Sequence, residues 1–575
     1  MKIVLCAINS KFIHSSLSVR CLYSYAKGME ENIEICEFTI NNSADYILSE
    51  IYKTKADCVC FSCYIWNMEF VKQLCADIEK IMPGVKIIIG GPEVSFPPFD
   101  LDDYNADIIC CGEGEETFKE LAEHFIRGNI RLEDIDGIVY KKDKDIIINK
   151  PRQLLSMDLL PFPYENIEGL ENKIIYYETA RGCPYNCAYC LSSTIEGVRF
   201  LDMDTVYAQL DFFLENKARQ VKFVDRTFNC HKERAVKIWQ YIIENDNGYT
   251  NFHFEIGADL LEESHIQILA KAREGLIQFE AGVQSTNPGT LEMICRTMDL
   301  EELYKNVLSI KALGNIHLHL DLIAGLPLEG YVSFEKSFND TFKLRPEMLQ
   351  LGFLKALKGS ALRKDADKYG LVYKKNAPYE VLYTNDISYD EILKLKGVEN
   401  ILETYYNSNL FEKSLEYLLA DYESAFKFFE EFSFYWSDNG YDKISHTKQK
   451  LFEILYQFDR RCEEKAYLKD FIKFDMFMNE NVKSLPEWLD KTDYAPIGDK
   501  LNEFYSQSDN IERYMPHLKG FSPKQLSRMC HIERFGCKVD KWNESDFAEG
   551  GGCYYLFVYG DKTRAYSISF QGGGK

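Results

Sequence analysis

Three cysteines, Cys183, Cys187 and Cys190, fall within the stretch RGCPYNCAYC (Arg181–Cys190) with the spacing CxxxCxxC. Thiolates so placed can hold metal, and three arrangements compete. A structural zinc ion takes four ligands, and the nearest further candidates, Cys230 and His231, follow a different strand-like run. A thiol–disulfide pair needs only two cysteines. A cubane iron–sulfur cluster accepts three thiolates and leaves its fourth iron open to a chelating molecule, which requires nothing beyond what the stretch supplies.

The elements around the motif must place it. From Ile174, β-rich runs alternate with helical patterns: KIIYYETA, QVKFVDRTF, FHFEIGADL, LIQFEAGVQS, HLHLDLIAGLP and MLQLGFLKAL. Six βα units over about 185 residues are too few for the eight-stranded closed barrel and suit an open, partial (β/α)6 barrel. The cysteines follow the first strand, at the end where such folds do chemistry. Ahead of this region, KIVLCAI, IEICEFTI, DCVCFSCY, VKIIIGG and DIICCGEGE alternate with helices, the pattern of a doubly wound parallel sheet covered on both faces. Its glycines, Gly90–Gly91 and Gly112–Gly114, follow strands, where open α/β sheets bind ligands and where tight turns also need glycine. DGIVYKKDKDIIINKPRQ reads as a hairpin and LLPFPYENI as a linker. After about Gly370 long amphipathic helices take over, and the last 50 residues read as paired strands ahead of a flexible QGGGK tail.

The expected architecture is therefore α/β: a Rossmann-like domain at 1–130, a hairpin and linker at 131–170, the partial barrel at 171–370, and a mostly helical domain with a terminal β-hairpin at 371–575. At 575 residues about three domains are expected. The formal charge of −23 argues against general capture of nucleic acid or anionic membrane. No run of about 18 apolar residues and no leader-like start is seen. Eighteen cysteines in apolar runs fit free thiols in a reducing compartment, so the protein is expected to be soluble and cytoplasmic.

CxxxCxxC with Tyr189 before the last cysteine, at the end of the first of six βα units, resembles the radical SAM superfamily. The resemblance implies a [4Fe-4S] cluster on Cys183, Cys187 and Cys190. Its open iron would be chelated by S-adenosylmethionine (SAM), and the cleaved SAM would yield a 5′-deoxyadenosyl radical. It extends to the branch that includes oxygen-independent coproporphyrinogen oxidase, whose SAM-binding positions match Tyr177, Glu255, Gln284, Arg296 and Asp321 in order. Ser285 beside Gln284 joins the candidates. Glu255 and Asp321 can bond ribose hydroxyls or the α-ammonium, and Arg296 can pair with the methionine carboxylate. Each has a plainer reading: Tyr177 as core, Gln284 and Ser285 as caps of the next helix, Arg296 as a surface charge. Where the branch carries GGT after the second strand, this chain has VDRTFN, so Asp225, or alternatively Arg226, becomes the candidate for the SAM ammonium.

GGPEVSF and GEGEETF make the first domain similar to the cobalamin-binding domain that precedes many radical SAM enzymes. The DxHxxG loop that supplies an axial histidine in one form of that domain is here NSKFIHSSLSVR; His14 is present without its Asp and Gly. The departure leads us to expect a domain that does not use cobalamin. The C-terminal region resembles an uncharacterised extension found on a subset of these proteins, and a subgroup with this layout is queuine lyase, which releases 7-aminomethyl-7-deazaguanine from queuine. A small neutral or cationic substrate such as queuine is expected, in a pocket near Asp225, Asn229, Lys355 and Lys358, with an electron donor such as flavodoxin or ferredoxin and no nucleic acid or membrane partner. The alternatives are a cobalamin-dependent radical SAM methyltransferase or ring-forming enzyme, and a non-catalytic iron–sulfur or zinc protein.

Overall fold

The computed structural model describes residues 1–462, 465–489, 498–544, 553–560 and 562–570; the closing QGGGK lies outside them. The chain divides into two compact units, Met1–Ile392 and Leu393–Lys575.

The first unit opens on a seven-stranded sheet: β1 (Ile3–Asn9), β2 (Ile33–Thr39), β3 (Cys58–Ser62), β4 (Lys86–Gly90), β5 (Ile108–Cys110), β6 (Ile138–Lys142) and β7 (Asp145–Ile148), in the order β2-β1-β3-β4-β5-β6-β7. The first five strands are parallel and the hairpin β6–β7 continues the sheet antiparallel. β1 is buried along its whole length because helices cover both faces of the sheet, which is why its sequence is apolar at every position.

The barrel follows with β8 (Ile174–Tyr177), a two-stranded ribbon of β9 (Ala180–Gly182) and β10 (Val198–Phe200), then β11 (Gln220–Phe223), β12 (Asn251–Glu255), β13 (Ile277–Gln284), β14 (His317–Ala324) and β15 (Met348–Phe353). The six main strands are parallel in the order β15-β14-β13-β12-β11-β8, the open partial barrel expected. On the β8 edge, residues of the loop after β1 add a bridge, with His14 opposite Ile174. Strand parity sorts the side chains. Tyr177, Phe223, Phe254 and Phe279 point outward into an aromatic layer, with Phe223 and Phe254 centroids 4.4 Å apart and Trp239 of the helix Lys232–Glu244 5.4 Å from Phe279. The alternate residues, Tyr176, Lys222, His253, Glu255, Glu280, His319 and Asp321, face the lumen. A short pair, β16 (Val372–Tyr373) and β17 (Val381–Tyr383), closes the unit.

The second unit is helical, from Glu412–Leu419 through Leu468–Asn479, and ends in a three-stranded antiparallel sheet of β18 (Cys530–Phe535), β19 (Cys553–Val558) and β20 (Arg564–Ile568). Phe471, Phe474 and Phe477 of the helix Leu468–Asn479 pack with Phe535, Tyr555 and Phe557 of this sheet. Among the described residues no helix is long and apolar enough to cross a membrane.

Candidate radical SAM site

The cluster loop is built by a close approach that only glycine permits. Gly182 has φ +100° and a Cβ there would lie 2.1 Å from the carbonyl oxygen of Gly197, so β9 and β10 can pair only without a side chain at this position. The three cysteines follow. Cys187 is buried, and Cys183 and Cys190 are half-buried. The Cys190 amide donates to the Cys187 carbonyl at 3.0 Å, and the Ala188 amide donates to Ile294. Polar groups surround the sulfurs: the Ser192 amide donates to Cys190 Sγ at 3.4 Å, Thr227 Oγ1 is 3.6 Å from Cys183 Sγ, and Arg296 Nη1 is 3.9 Å from Cys187 Sγ. Burial raises the Cys187 thiol, and the Arg296 guanidinium opposes it by favouring the thiolate. Cys183, Cys187 and Cys190 are free thiols, in no disulfide. Three thiols on one short loop, with donors aimed at the sulfurs, fit a cubane cluster with one open iron.

Five of the candidate SAM residues lie at this loop or on the lumen face of the strands: Tyr189, Gln284 and Arg296 at the loop, Glu255 and Asp321 in the lumen. β13 ends in a bulge between Gly282 and Gln284, and Gln284 adopts φ +68°, a conformation rare for a residue with a side chain. The turn lays the Gln284 amide directly over Gly282, where a Cβ would come within 2.0 Å of Gln284 Nε2. Arg296 donates through Nη2 to the Gly282 carbonyl while its Nη1 faces Cys187. Buried Gln284 Oε1 and Arg296 Nε have no hydrogen-bond partner within the protein, which leaves both open to a bound molecule. Tyr189, between Cys187 and Cys190, is raised first by burial and is held down by the nearby Arg296 charge. Asp321 is the register partner of Gly282, and burial raises its carboxyl. Glu255 lies in the lumen on β12, pushed up to about 7 by burial, with Lys222 Nζ at 3.8 Å.

The other candidates are committed elsewhere. Tyr177 faces outward, its hydroxyl donating to Gln209 at 2.8 Å in the helix Met203–Glu215; its neighbour Tyr176 occupies the lumen position. Both oxygens of buried Asp225 accept from Thr179, one from the amide at 2.8 Å and one from the hydroxyl, so it clamps the loop after β8. Burial still pushes it up to about 6. Ser285 is fully buried and donates to Glu329 at 2.7 Å, while Asn287 caps the next helix. Among the proposed substrate residues, Asn229 exchanges two 2.8 Å hydrogen bonds with the backbone of Gly257. Lys358 pairs with buried Glu93 at 2.8 Å and Tyr104 at 3.0 Å. Lys355 is exposed, with its backbone in an isolated β-bridge to Glu380, and Arg226 is exposed. For Tyr177, Asp225, Ser285, Asn229 and Lys358 the partner is remote in sequence, which is why spacing alone suggested otherwise.

The lumen residues Tyr176, Lys222, His253, Glu280 and His319 were not among the sequence candidates. Lys222 pairs with Glu280 at 2.8 Å and His253 Nε2 lies 3.1 Å from the same oxygen; together they hold Glu280 well below the usual carboxylate range despite its burial. His14 Nδ1 is 2.7 Å from the Tyr176 hydroxyl. The signal was legible in FHFEI and HLHLD, where polar residues alternate with apolar ones in strands of a fold whose outer face is already filled.

The glycine-rich loops of the first domain grip the barrel. Arg181, two residues before Cys183, pairs with Glu115 at 2.5 Å, Glu178 at 2.8 Å and Glu113 at 3.5 Å; Arg199 also pairs with Glu113. Gly91 at φ +114° lets the loop after β4 touch the loop after β3, since a Cβ would lie 2.6 Å from the Cys63 carbonyl oxygen. Near the carboxyl ends of β1 and β3, Phe12, Ile13 and Trp66 are exposed, and Trp66 stacks on Tyr64 at 4.3 Å.

Three family models match the chain: "B12 binding domain" over 3–122, "Radical SAM superfamily" over 177–341 and "Protein of unknown function (DUF4080)" over 367–557. The 2-(S-pantetheinyl)-carbapenam-3-carboxylate methyltransferase of Streptantibioticus cattleyicolor is 26% identical over 301 residues, covering 49% of this chain and 44% of that protein. The cobalamin-dependent radical SAM methyltransferase TokK of Streptomyces tokunonensis is 24% identical over 299 residues, covering 48% and 44%. The chain thus spans less than half the length of these two relatives. The cobalamin-dependent SAM radical enzyme OxsB shares the fold with TM-score 0.58 and 15% identity over 84% of this chain and 82% of its own. These similarities run against the expectation of a domain without cobalamin, and they favour the methyltransferase alternative over the lyase. Motif, barrel and matches agree: the chain carries a radical SAM domain at 177–341, with a B12 binding domain at 3–122 before it and a DUF4080 domain at 367–557 after it.

Proposed function

We propose that the protein is a cobalamin-dependent radical SAM enzyme that transfers a methyl group to a small molecule held in the barrel lumen. The observation that carries the SAM site is Arg296, which touches Cys187 and Gly282 while its Nε and the Gln284 carbonyl oxygen remain unpartnered. Cys183, Cys187 and Cys190 would hold the cluster, which when bound supplies the electron that cleaves SAM to a 5′-deoxyadenosyl radical. Arg296 orients the methionine carboxylate. Glu255 and Asp321 offer acceptors for ribose hydroxyls or the ammonium. The outward aromatic layer keeps water from one side of the lumen. Phe12, Tyr64 and Trp66 would support cobalamin. The B12 binding match and the relatives' names support methyl transfer.

Queuine cleavage is the second reading. It draws on the carboxylates of the lumen, where Glu255, Glu280 and Asp321 could meet a cationic amine, and on the acidic chain as a whole. A single experiment separates the two: anaerobically reconstituted protein with reduced flavodoxin or ferredoxin, hydroxocobalamin, queuine and SAM carrying a deuterated methyl group. Mass spectrometry showing 7-aminomethyl-7-deazaguanine supports the lyase. Cobalamin retained by the protein, with deuterated methylcobalamin formed, supports methyl transfer. Absence of 5′-deoxyadenosine and of methylcobalamin alike, with four irons present per cluster, defeats both.

A further inference from the structure

Glu329 lies in the turn between β14 and the helix Tyr331–Phe342, is fully buried, and has no part in the chemistry set out above. We infer that Glu329 is a positioning residue for SAM: its carboxyl group holds the turn that aims Gln284 at the site, acting through Ser285. The inference rests on the SAM site proposed above. Gln284 closes β13 at φ +68°. That backbone is strained for a residue with a side chain, and such strain persists only where the surroundings over-determine it.

Here the surroundings act through one oxygen. Ser285 and Ser337 are fully buried, and both hydroxyls donate to Glu329 Oε1 at 2.7 Å. Each hydroxyl has a single proton, so its oxygen is left to accept, and what it accepts is a backbone amide of the turn. The Asn287 amide donates to Ser285 Oγ at 2.9 Å and the Thr286 amide to Ser337 Oγ at 3.0 Å. One acceptor thus sets the direction of these four hydrogen bonds. With the Ser285 amide also bonded to the Val283 carbonyl at 2.9 Å, residues 285–287 are tied down directly after Gln284, and its left-handed backbone cannot relax without breaking the set. Without the Glu329 acceptor, the two serine protons are stranded in a buried site and the amides of Thr286 and Asn287 lose their fixed acceptors. The other oxygen, Glu329 Oε2, has no hydrogen-bond partner within the protein, so a glutamine, which supplies one carbonyl oxygen, meets the same two donors.

The test measures SAM binding to the reconstituted holoenzyme by equilibrium dialysis, and backbone exchange by hydrogen–deuterium mass spectrometry. Glu329→Ala should weaken SAM binding by about tenfold, the worth of one net hydrogen bond, and should speed exchange in the peptide carrying Thr286 and Asn287. Glu329→Gln should restore both readings to the wild-type values. Asp475→Ala sets the comparison for a general loss of stability. Asp475 is a buried acid of the second unit that likewise accepts from a serine, Ser414, at 2.6 Å, and its removal should leave SAM affinity and the 286–287 exchange unchanged. The role is overturned if Glu329→Ala binds SAM as the wild type does, if Glu329→Gln behaves as the alanine variant does, or if Asp475→Ala loses as much SAM affinity. Should Glu329→Ala fail to fold, Ser285→Ala cuts the same link from the other end: it must show both changes, and unaltered SAM affinity overturns the role. The exchange reading needs no SAM, so a wild-type chain that never binds SAM yet shows the expected exchange pattern removes the SAM site and keeps Glu329 as the anchor of the turn.

Discussion

Two arginines flank the cluster loop and are treated in opposite ways by the fold. Arg181, just before Cys183, faces three carboxylates from two domains: Glu113, Glu115 and Glu178. Arg296 faces a sulfur and a backbone carbonyl, and its buried Nε has no partner. A buried charge that is fully paired belongs to the architecture, because its partners already repay the desolvation. A buried charge left with an open donor is in a state that a carboxylate ligand would complete. The first ties the B12-type domain to the cluster loop, and the second is available to SAM.

The largest effect expected is on the element both arginines serve. Replacing Cys183, Cys187 and Cys190 with Ala should remove the cluster iron and all 5′-deoxyadenosine formation, measured by iron assay and chromatography; deoxyadenosine from that variant would undo the site assignment. Arg181→Met should then destabilise the first unit by about 3–5 kcal/mol, since it strands three acids in a half-buried seam. The check is a urea unfolding curve, and adding Glu115→Gln should recover part of the loss. Arg296→Met should leave that curve nearly in place and weaken SAM binding to the reconstituted cluster by about 1.5–3 kcal/mol, the worth of a charge-assisted hydrogen bond. If the two variants exchange these outcomes, the distinction drawn between paired and open arginines fails.

Smaller effects sharpen the same contrast. Tyr177→Phe removes the bond to Gln209 and should cost about 1 kcal/mol of stability with SAM affinity unchanged in equilibrium dialysis. Glu329, fully buried and bonded to Ser285 and Ser337, is pushed up to about 7, chiefly by burial. A carboxyl raised on folding contributes stability that is complete below its unfolded pKa of about 4.3 and is lost as pH rises through about 7. Glu329→Gln mimics the protonated acid, so it should flatten that part of the stability-versus-pH profile. An unchanged slope would show that the buried acid does not titrate there.

The sequence by itself determined the cluster loop, because CxxxCxxC is local: its ligands are neighbours in the chain and need only a turn to converge. It also determined the βα order, since apolar runs of strand length separated by helical periods admit few topologies, and it placed Gln284 and Arg296 near the cysteines through their motif. The tertiary structure decided which face of each strand looks inward. Period-two alternation divides a strand into two faces without saying which is the lumen, so Tyr176 and Tyr177 could be told apart only once the aromatic layer around Phe213 and Phe223 claimed the second. It also decided what each isolated polar residue was for. Asp225 finds Thr179 across 46 residues, Lys358 finds Tyr104 across 254 and Arg181 finds Glu115 across 66; partners at such separations are brought together by packing, which no local pattern records.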